Sequence, residues 1–142
     1  MKRSALKRVT ALHKPIAKRM RQSRSTGKPT KAQSARIDAI KRLGCVACMI
    51  NRVLWIKTCG FAGADAHHLL SGGRRRGHGF TIGLCPWHHR AIPPMDGMGE
   101  AVAIDTYGPS VATGSKQFAA TYGTDDELLE FQNALLDKVR YG

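Results

Sequence analysis

Cysteine and histidine residues recur between positions 45 and 89 at spacings that suit metal binding. The segment contains C-x-x-C, then an adjacent histidine pair, then C-x-x-H-H. A two-residue gap brings both side chains of a pair to one face of a tight turn, so the outer pairs are expected to bind one tetrahedral zinc ion. The four predicted zinc ligands are Cys45, Cys48, Cys85 and His88. Such a site needs none of His67, His68 and His89, which suggest a second, catalytic metal centre.

The histidine pair is predicted to divide two roles between two faces of a strand. Neighbouring side chains on a strand point to opposite faces, so His67 and His68 cannot easily bind the same ion. In a ββα-metal site the first residue of such a pair binds a divalent ion, and the second deprotonates the attacking water. An imidazole with a pKa of about 6.5 suits the second role because it is largely neutral near pH 7. His67 and His89 are thus the expected ligands of the catalytic ion, and His68 the expected general base.

The elements that carry these residues follow the order strand, loop, strand, helix. The end of a strand is expected at 66–70, a loop at 71–79, a second strand at 81–84 and a helix that starts at Pro86. This is the outline of a ββα-metal domain. The apolar residues within 49–64 fit either a strand or a short helix, because periodicity alone does not decide between them.

Capping motifs predict the flanking helices. Thr30 with Gln33 forms a capping box for a helix over 31–43, which Gly44 ends. An irregular stretch at 93–99 and a helix at 115–122 precede a second capping box and the C-terminal helix. That box consists of Thr124 and Glu127. The last helix is expected to pack an apolar stripe against the zinc module, and the stripe consists of Leu128, Phe131, Leu135 and Val139.

Positive charge is concentrated at the N-terminus. Residues 1–42 contain fourteen Lys or Arg and one Asp, a charge of +13, whereas residues 91–142 have a charge of −5. We expect residues 1–29 to be a disordered basic arm that binds DNA by releasing counterions, and residues 30–142 to be the folded domain. The alternative is a solvated tail that only aids solubility. The arm residues expected to contact DNA are Lys2, Arg3, Lys7, Arg8, Lys18, Arg19 and Arg21.

Further polar residues lie between the two halves of the metal-binding pattern. His78, seven residues before Cys85, is placed to reach the catalytic ion or a phosphate. Guanidinium groups match phosphate oxygens bidentately, so four arginines near the expected site are predicted to bind the DNA backbone. They are Arg74, Arg75, Arg76 and Arg90. For the three consecutive arginines at 74–76, a solvated turn is the alternative.

Cysteine use and hydropathy bear on the compartment. No segment approaches the roughly 18–20 apolar residues of a membrane span, and the N-terminus lacks a signal peptide, so we expect a cytoplasmic protein without a membrane partner. A reducing cytosol favours thiolate ligands over disulfides. Cys59 could replace one zinc ligand, but the other cysteines and His88 already complete a site, so we interpret it as a buried or idle thiol.

The motifs resemble those of the Ref family of HNH nucleases, phage recombination enhancement proteins described as RecA-dependent. The resemblance rests on GCVACMINRV, DAHHLLSGG, His78, TIGLCPWHHRAIPP, GSKQF and DDELLEFQNALL, and it covers roughly residues 30–140. It implies an α+β HNH domain built on a zinc knuckle, in a phage or prophage protein that acts in the host cytoplasm on single-stranded or duplex DNA paired by RecA. The usual HNH asparagine is missing near Phe80 and Thr81, and His78 is the best candidate to replace it as a metal ligand.

These observations predict a DNA endonuclease that uses one divalent ion. His68 would accept a proton from water, and an ion bound by His67 and His89 would stabilise the transition state. Mg²⁺ or Mn²⁺ is the expected ion, although histidine ligands also admit zinc or nickel. The alternative is a non-catalytic, zinc-dependent DNA-binding accessory protein, which leaves the additional histidines unexplained. A zinc nucleobase deaminase does not fit, because no H-x-E precedes the cysteines.

Overall fold

The computed structural model describes the backbone of residues 26–141 and the side chains of residues 26–139. Six helices are present in this part of the chain: α1 (Lys31–Leu43), α2 (Val46–Leu54), α3 (Pro86–Arg90), α4 (Glu100–Tyr107), α5 (Ser115–Tyr122) and α6 (Asp125–Tyr141). Four strands accompany them: β1 (Asp65–His68), β2 (Leu70–Ser71), β3 (Arg74–Arg75) and β4 (Thr81–Leu84). The predicted mixture of helices and a small sheet is confirmed. Most of the predicted basic arm lies outside the described residues, so its extent to residue 29 stays a prediction.

Two antiparallel strands form the platform for the histidines. β1 pairs with β4 in a register that sets His67 opposite Ile82 and His68 opposite Thr81. β4 leads through Cys85 directly into α3, so the predicted order of strand, strand and helix is present. The expected loop at 71–79 is partly wrong, because β2 and β3 pair there as a short hairpin. Gly72 and Gly73 supply its two-residue turn, which allows the chain to reverse with two residues paired on each side.

The helix boundaries follow local capping chemistry. Thr30 and Gln33 form the predicted reciprocal capping box of α1, and Gly44 ends the helix. Within the ambiguous segment 49–64, the residues up to Leu54 are helical and belong to α2, whereas the helix ends before Trp55. α4 was not predicted: its first turn has a glycine N-cap without a side-chain hydrogen bond, so no capping motif marks its start.

The C-terminal helix packs only the first part of its predicted stripe into the core. Leu128 is buried in the same apolar cluster as the three cysteines of the zinc pattern, and Phe131 packs partly against that cluster. The prediction for Val139 is wrong, since 72% of its surface is exposed near the end of the helix. The helix is seventeen residues long and the strands it covers are short, so its last turns have little apolar surface to cover.

A glutamine of α6 completes the outer edge of β4. The amide of Gln132 accepts a hydrogen bond from the Gly83 N–H at 2.7 Å and donates to the Thr81 carbonyl at 2.9 Å. The backbone of β4 also packs tightly against the junction of α1 and α2, because a Cβ at Gly83 would lie 2.6 Å from the carbonyl oxygen of Gly44. Glycine is therefore required where β4 passes the junction of α1 and α2. These contacts hold the strand between the two helices that flank it.

Replacing Gln132 with Ala should lower the free energy of unfolding by about 1–3 kcal/mol, because the buried Gly83 N–H loses its acceptor. The neighbouring Asn133→Ala is the control, since Asn133 is exposed on the same helix and its replacement should change stability by less than about 0.5 kcal/mol. Denaturant unfolding followed by circular dichroism measures both. Equal stabilities for the two variants would contradict the edge role of Gln132.

Candidate metal centre and histidine cluster

The four predicted zinc ligands meet in the interior. Cys45, Cys48, Cys85 and His88 are all buried, and their ligand atoms lie within 4.8 Å of one another. His88 Nδ1 is 3.4 Å from the sulfur of Cys45, 3.6 Å from that of Cys48 and 3.1 Å from that of Cys85. Zinc–sulfur bonds of about 2.3 Å and zinc–nitrogen bonds of about 2.0 Å in a tetrahedron place donor atoms at such separations. The three sulfurs and one nitrogen therefore fit a structural zinc ion.

Two short helices bring these donors together. Cys45 is the N-cap of α2, and Cys48 lies in the first turn of that helix. Cys85 is the N-cap of α3, where its sulfur accepts the backbone N–H of His88. Both pairs therefore stand at helix N-termini, where the free N–H groups favour negatively charged thiolates. The junction of α1 with α2 is thereby joined to the junction of β4 with α3.

A hydrogen-bond network selects the ligand nitrogen of His88. The backbone carbonyl of Tyr107 lies 2.9 Å from His88 Nε2, and a carbonyl can only accept, so Nε2 carries the proton. The lone pair of Nδ1 then faces the three sulfurs. The same carbonyl, at the C-terminus of α4, accepts from the side chains of Asn51 and Tyr122. Burial raises the pKa of Tyr122, so its hydroxyl remains a donor.

The electrostatics of the cluster favour a cation. Burial lowers the pKa of His88, but hydrogen bonds to Cys45 and Cys85 outweigh it and raise the pKa to about 10. Hydrogen bonds to Cys45 and Cys85, with burial, raise the pKa of Cys48. Thiols packed this closely cannot all ionise unless positive charge lies between them, which a zinc ion supplies. The donor set is thus suited to zinc in its charge as well as its geometry.

Cys59 is not part of this cluster. Its half-buried thiol donates a hydrogen bond to the backbone carbonyl of Cys48 at 3.1 Å. The interpretation of Cys59 as a thiol outside the zinc site agrees with this position. Among the described residues, no other group of three or more Cys, His, Asp or Glu side chains is close enough to bind a metal ion.

His67 and His89 face each other beside the cluster. Their ring centroids are 4.9 Å apart, with the rings nearly perpendicular. Burial, then the neighbouring His89 and His68, lowers the pKa of His67 to about 4, and burial also lowers the pKa of His89, with a smaller effect of Arg90. Both imidazoles are therefore neutral near pH 7. Nδ1 of His89 is buried without a hydrogen-bond partner among residues 26–139, as a nitrogen reserved for a metal ion would be.

His68 occupies the other face of β1, beside His78. His68 Nε2 lies 3.1 Å from His78 Nδ1, and His78 Nε2 lies 2.9 Å from the backbone carbonyl of Gly27. Both nitrogens of His78 are thus engaged away from His67 and His89. The structure therefore does not bring His78 to these residues as a replacement for the missing asparagine. Burial, with smaller effects of Arg75 and His78, lowers the pKa of His68.

The arginines predicted to bind DNA differ in their surroundings. Arg76 forms an ion pair with Asp126 at 2.7 Å and lies over the ring of Phe80, so its guanidinium is already held. Arg74 and Arg75 are exposed on β3, and Arg90 is exposed at the end of α3. The basic arm residues from Lys2 to Arg21 lie outside the described residues. Their predicted contacts with DNA remain predictions.

Sequence reasoning missed residues that position the site from a distance. Arg36 of α1 donates to the backbone carbonyls of Gly79 and Thr81, which fixes the turn after His78. Tyr107 acts only through its backbone carbonyl, which no side-chain pattern reveals. The position of Arg36 on the helix face that carries Ile40 was the one available signal, since a partly buried guanidinium needs carbonyl partners.

Comparison with family models identifies the chain. The model described as recombination enhancement, RecA-dependent nuclease, matches residues 29–137. The chain belongs to this family. The resemblance inferred from the motifs is thus confirmed, and membership links this nuclease-family protein to RecA and to DNA recombination. Comparison with curated proteins and with solved structures gives no match. No helix in the described part of this family member is both long and apolar enough to cross a membrane.

Replacing Cys48 with Ala should unfold the domain or cause it to aggregate. Structural zinc contributes on the order of 10 kcal/mol of apparent binding energy, which is comparable to the stability of a small domain. Cys59→Ala is the matched control, because it removes a thiol that touches the Cys48 carbonyl but lies outside the ligand set. Elemental analysis and thermal unfolding should show one zinc per chain and a folded protein only for the control. A folded Cys48→Ala protein that retains a tightly bound zinc would refute the ligand assignment.

Proposed function

We propose that this member of the RecA-dependent nuclease family is a DNA endonuclease of the HNH type that uses one divalent ion. The observation that supports this best is the pair of neutral imidazoles, His67 and His89, in which the buried Nδ1 of His89 lacks a hydrogen-bond partner within the described part of the chain. A structural zinc domain has no use for such a pair. Family membership supplies the substrate class, DNA engaged by RecA.

His67 and His89 would hold Mg²⁺ or Mn²⁺ beside a phosphate of the DNA. When bound, the ion supplies positive charge to the pentacovalent phosphorus and to the departing 3′ oxygen. His68 accepts the proton of the water that attacks phosphorus in line. Arg75, exposed on the same side as His68, binds a neighbouring phosphate and fixes the scissile group. The products would carry 5′ phosphate and 3′ hydroxyl ends.

The structural zinc contributes by holding α3. His89 follows the zinc ligand His88 in a helix of five residues, so its position depends on the ion that fixes its neighbour. The antiparallel register of β1 with β4 then places His67 against His89. The adjacent residues His88 and His89 of α3 would therefore bind the structural ion and the catalytic ion, respectively. This arrangement explains why the additional histidines directly adjoin the zinc-binding pattern and the strand that pairs with it.

The variants His68→Ala and His67→Ala should distinguish a base from a metal ligand. His68→Ala should lower the cleavage rate by about 10²–10⁴ and leave DNA affinity and zinc content unchanged, because it removes only the proton acceptor. His67→Ala should also stop cleavage, but excess Mn²⁺ should partly restore it. Single-turnover cleavage of RecA-paired DNA, measured across a Mn²⁺ titration, separates the two effects.

Wild-type rates for His68→Ala would refute the assignment of the base. A wild-type protein that binds DNA but cuts none, with or without RecA and under each divalent ion, would favour the alternative of a non-catalytic accessory protein.

Deleting residues 1–25 should weaken DNA binding and reduce its salt dependence. These residues contain nine Lys or Arg and no Asp or Glu, and each phosphate that the protein no longer neutralises reduces the slope of log K against log salt by about 0.9 on duplex DNA. The deletion keeps Gly27, so the hydrogen bond to His78 remains. Fluorescence anisotropy at several salt concentrations measures the slope, with zinc content as the control for folding. An unchanged slope would show that the arm does not contact DNA.

A further inference from the structure

We infer that His78 is a positioning residue that holds His68 as its Nε2–H tautomer, through a chain of hydrogen bonds that ends on the Gly27 carbonyl. Family membership alone assigns no role to His78 or Gly27. The consequence for cleavage rests on the proposed function. The tautomer itself does not, because it follows from the donors and acceptors of the described residues.

The direction of the hydrogen bonds follows from their last acceptor. A backbone carbonyl has no proton to donate, so His78 Nε2, 2.9 Å from the Gly27 oxygen, must be the protonated nitrogen. A neutral imidazole has one N–H, so His78 Nδ1 is an acceptor. His68 Nε2, 3.1 Å from it, must then donate. This leaves Nδ1 of His68 unprotonated, and Nδ1 is the atom that can accept a proton from water.

The ring of His78 is fixed from several directions. Only 9% of the surface of His78 is exposed. The buried hydroxyl of Thr81 donates to the His78 carbonyl at 3.1 Å, and Arg36 binds the carbonyls of Gly79 and Thr81 on either side of Phe80. The loop before β4 is thus attached to α1 and to its own strand. A side chain held in this way can orient its neighbour, which a mobile loop histidine cannot do.

The last acceptor lies where the basic N-terminal segment meets the domain. Gly27 has a φ of +70°, a left-handed conformation that most residues adopt only at a cost. No atom of the described residues lies within 4 Å of a Cβ built there, so the backbone conformation, and not space, selects glycine. The carbonyl that completes the relay therefore belongs to the residue that joins the basic segment to α1.

Nuclear magnetic resonance tests the tautomer independently of cleavage. Long-range ¹H–¹⁵N correlation spectra of the ¹⁵N-labelled, zinc-loaded protein distinguish protonated from unprotonated ring nitrogens. We expect a protonated Nε2 and an unprotonated Nδ1 for His68, with His68→Ala used to assign its signals. In His78→Leu, His68 should no longer prefer one tautomer and should populate both. A His68 that carries its proton on Nδ1 in the wild type, or one whose tautomer is unchanged in His78→Leu, would overturn the inference.

Kinetics test whether the relay serves the reaction. His78→Leu should lower kcat by about 10- to 100-fold, the usual cost of losing a partner that orients a functional imidazole, with KM unchanged. His78→Asn is the matched control, because its amide oxygen can still accept from His68, and it should stay within a few-fold of wild type. In the His68→Ala background, His78→Leu should cause no further loss, because the two residues act through one step. Independent, multiplicative losses would overturn the inference.

Variants of Gly27 test the end of the relay. Gly27→Val should lower kcat by less than His78→Leu does, because a β-branched residue resists the left-handed conformation and displaces the carbonyl, while His78 can still accept from His68. Gly27→Asn should retain activity, since asparagine tolerates that conformation. Equal activities for the two variants would exclude Gly27 from the relay. If the wild type cuts no DNA, the proposed function fails, and the resonance experiment still decides the tautomer.

Discussion

The cluster of three cysteine sulfurs and one imidazole is the arrangement on which the other parts of this domain depend. The sheet that carries the histidines has only two strands of four residues each, and α3 has only five residues, so neither element could hold its position by packing alone. A zinc ion held by this cluster would supply the missing constraint by joining the N-termini of α2 and α3 in the interior. The apolar core then surrounds the ligands, with Trp87 and Leu84 buried beside Cys85. Binding of this ion and formation of the core would therefore be a single event.

The two faces of β1 give His67 and His68 different surroundings. The face of His67 is shielded, and burial keeps its imidazole neutral and able to bind a cation. The exposed Arg75 of the hairpin and the hydrogen-bonded His78 lie near His68, so that face is accessible to a polyanion and is also ordered by the protein. The two proposed functions can lie on adjacent residues because neighbouring side chains on a strand point to opposite faces. On a helix the two side chains would be only about 100° apart around the axis and would not lie on opposite faces.

The sequence predicted best those features that arise from local chemistry. The capping boxes at Thr30 and Thr124 gave the starts of two helices, and the C-x-x-C and C-x-x-H spacings gave the four residues of the buried cluster that could hold a metal ion, because each pattern depends on residues close in the chain. Contacts between distant segments could not be predicted in this way. The bond from His78 to Gly27 spans 51 positions, and the one from Gly83 to Gln132 spans 49. The sequence could not place His78 in this chain of hydrogen bonds, because a metal ligand and a positioning residue can have the same side chain and only the fold shows which atoms it contacts.

The hairpin of β2 and β3 lies at the exposed end of the connection between the paired strands. Its turn at Gly72 and Gly73 has no described atoms within 4 Å of an added Cβ, whereas a slip of one residue between β1 and β4 would move each histidine to the opposite face. Insertions and deletions in relatives of this chain should therefore accumulate at the hairpin tip and be absent from β1. Length variation among relatives would thus mark the boundary between the part that can be remodelled to fit a different DNA partner and the part that must keep its register.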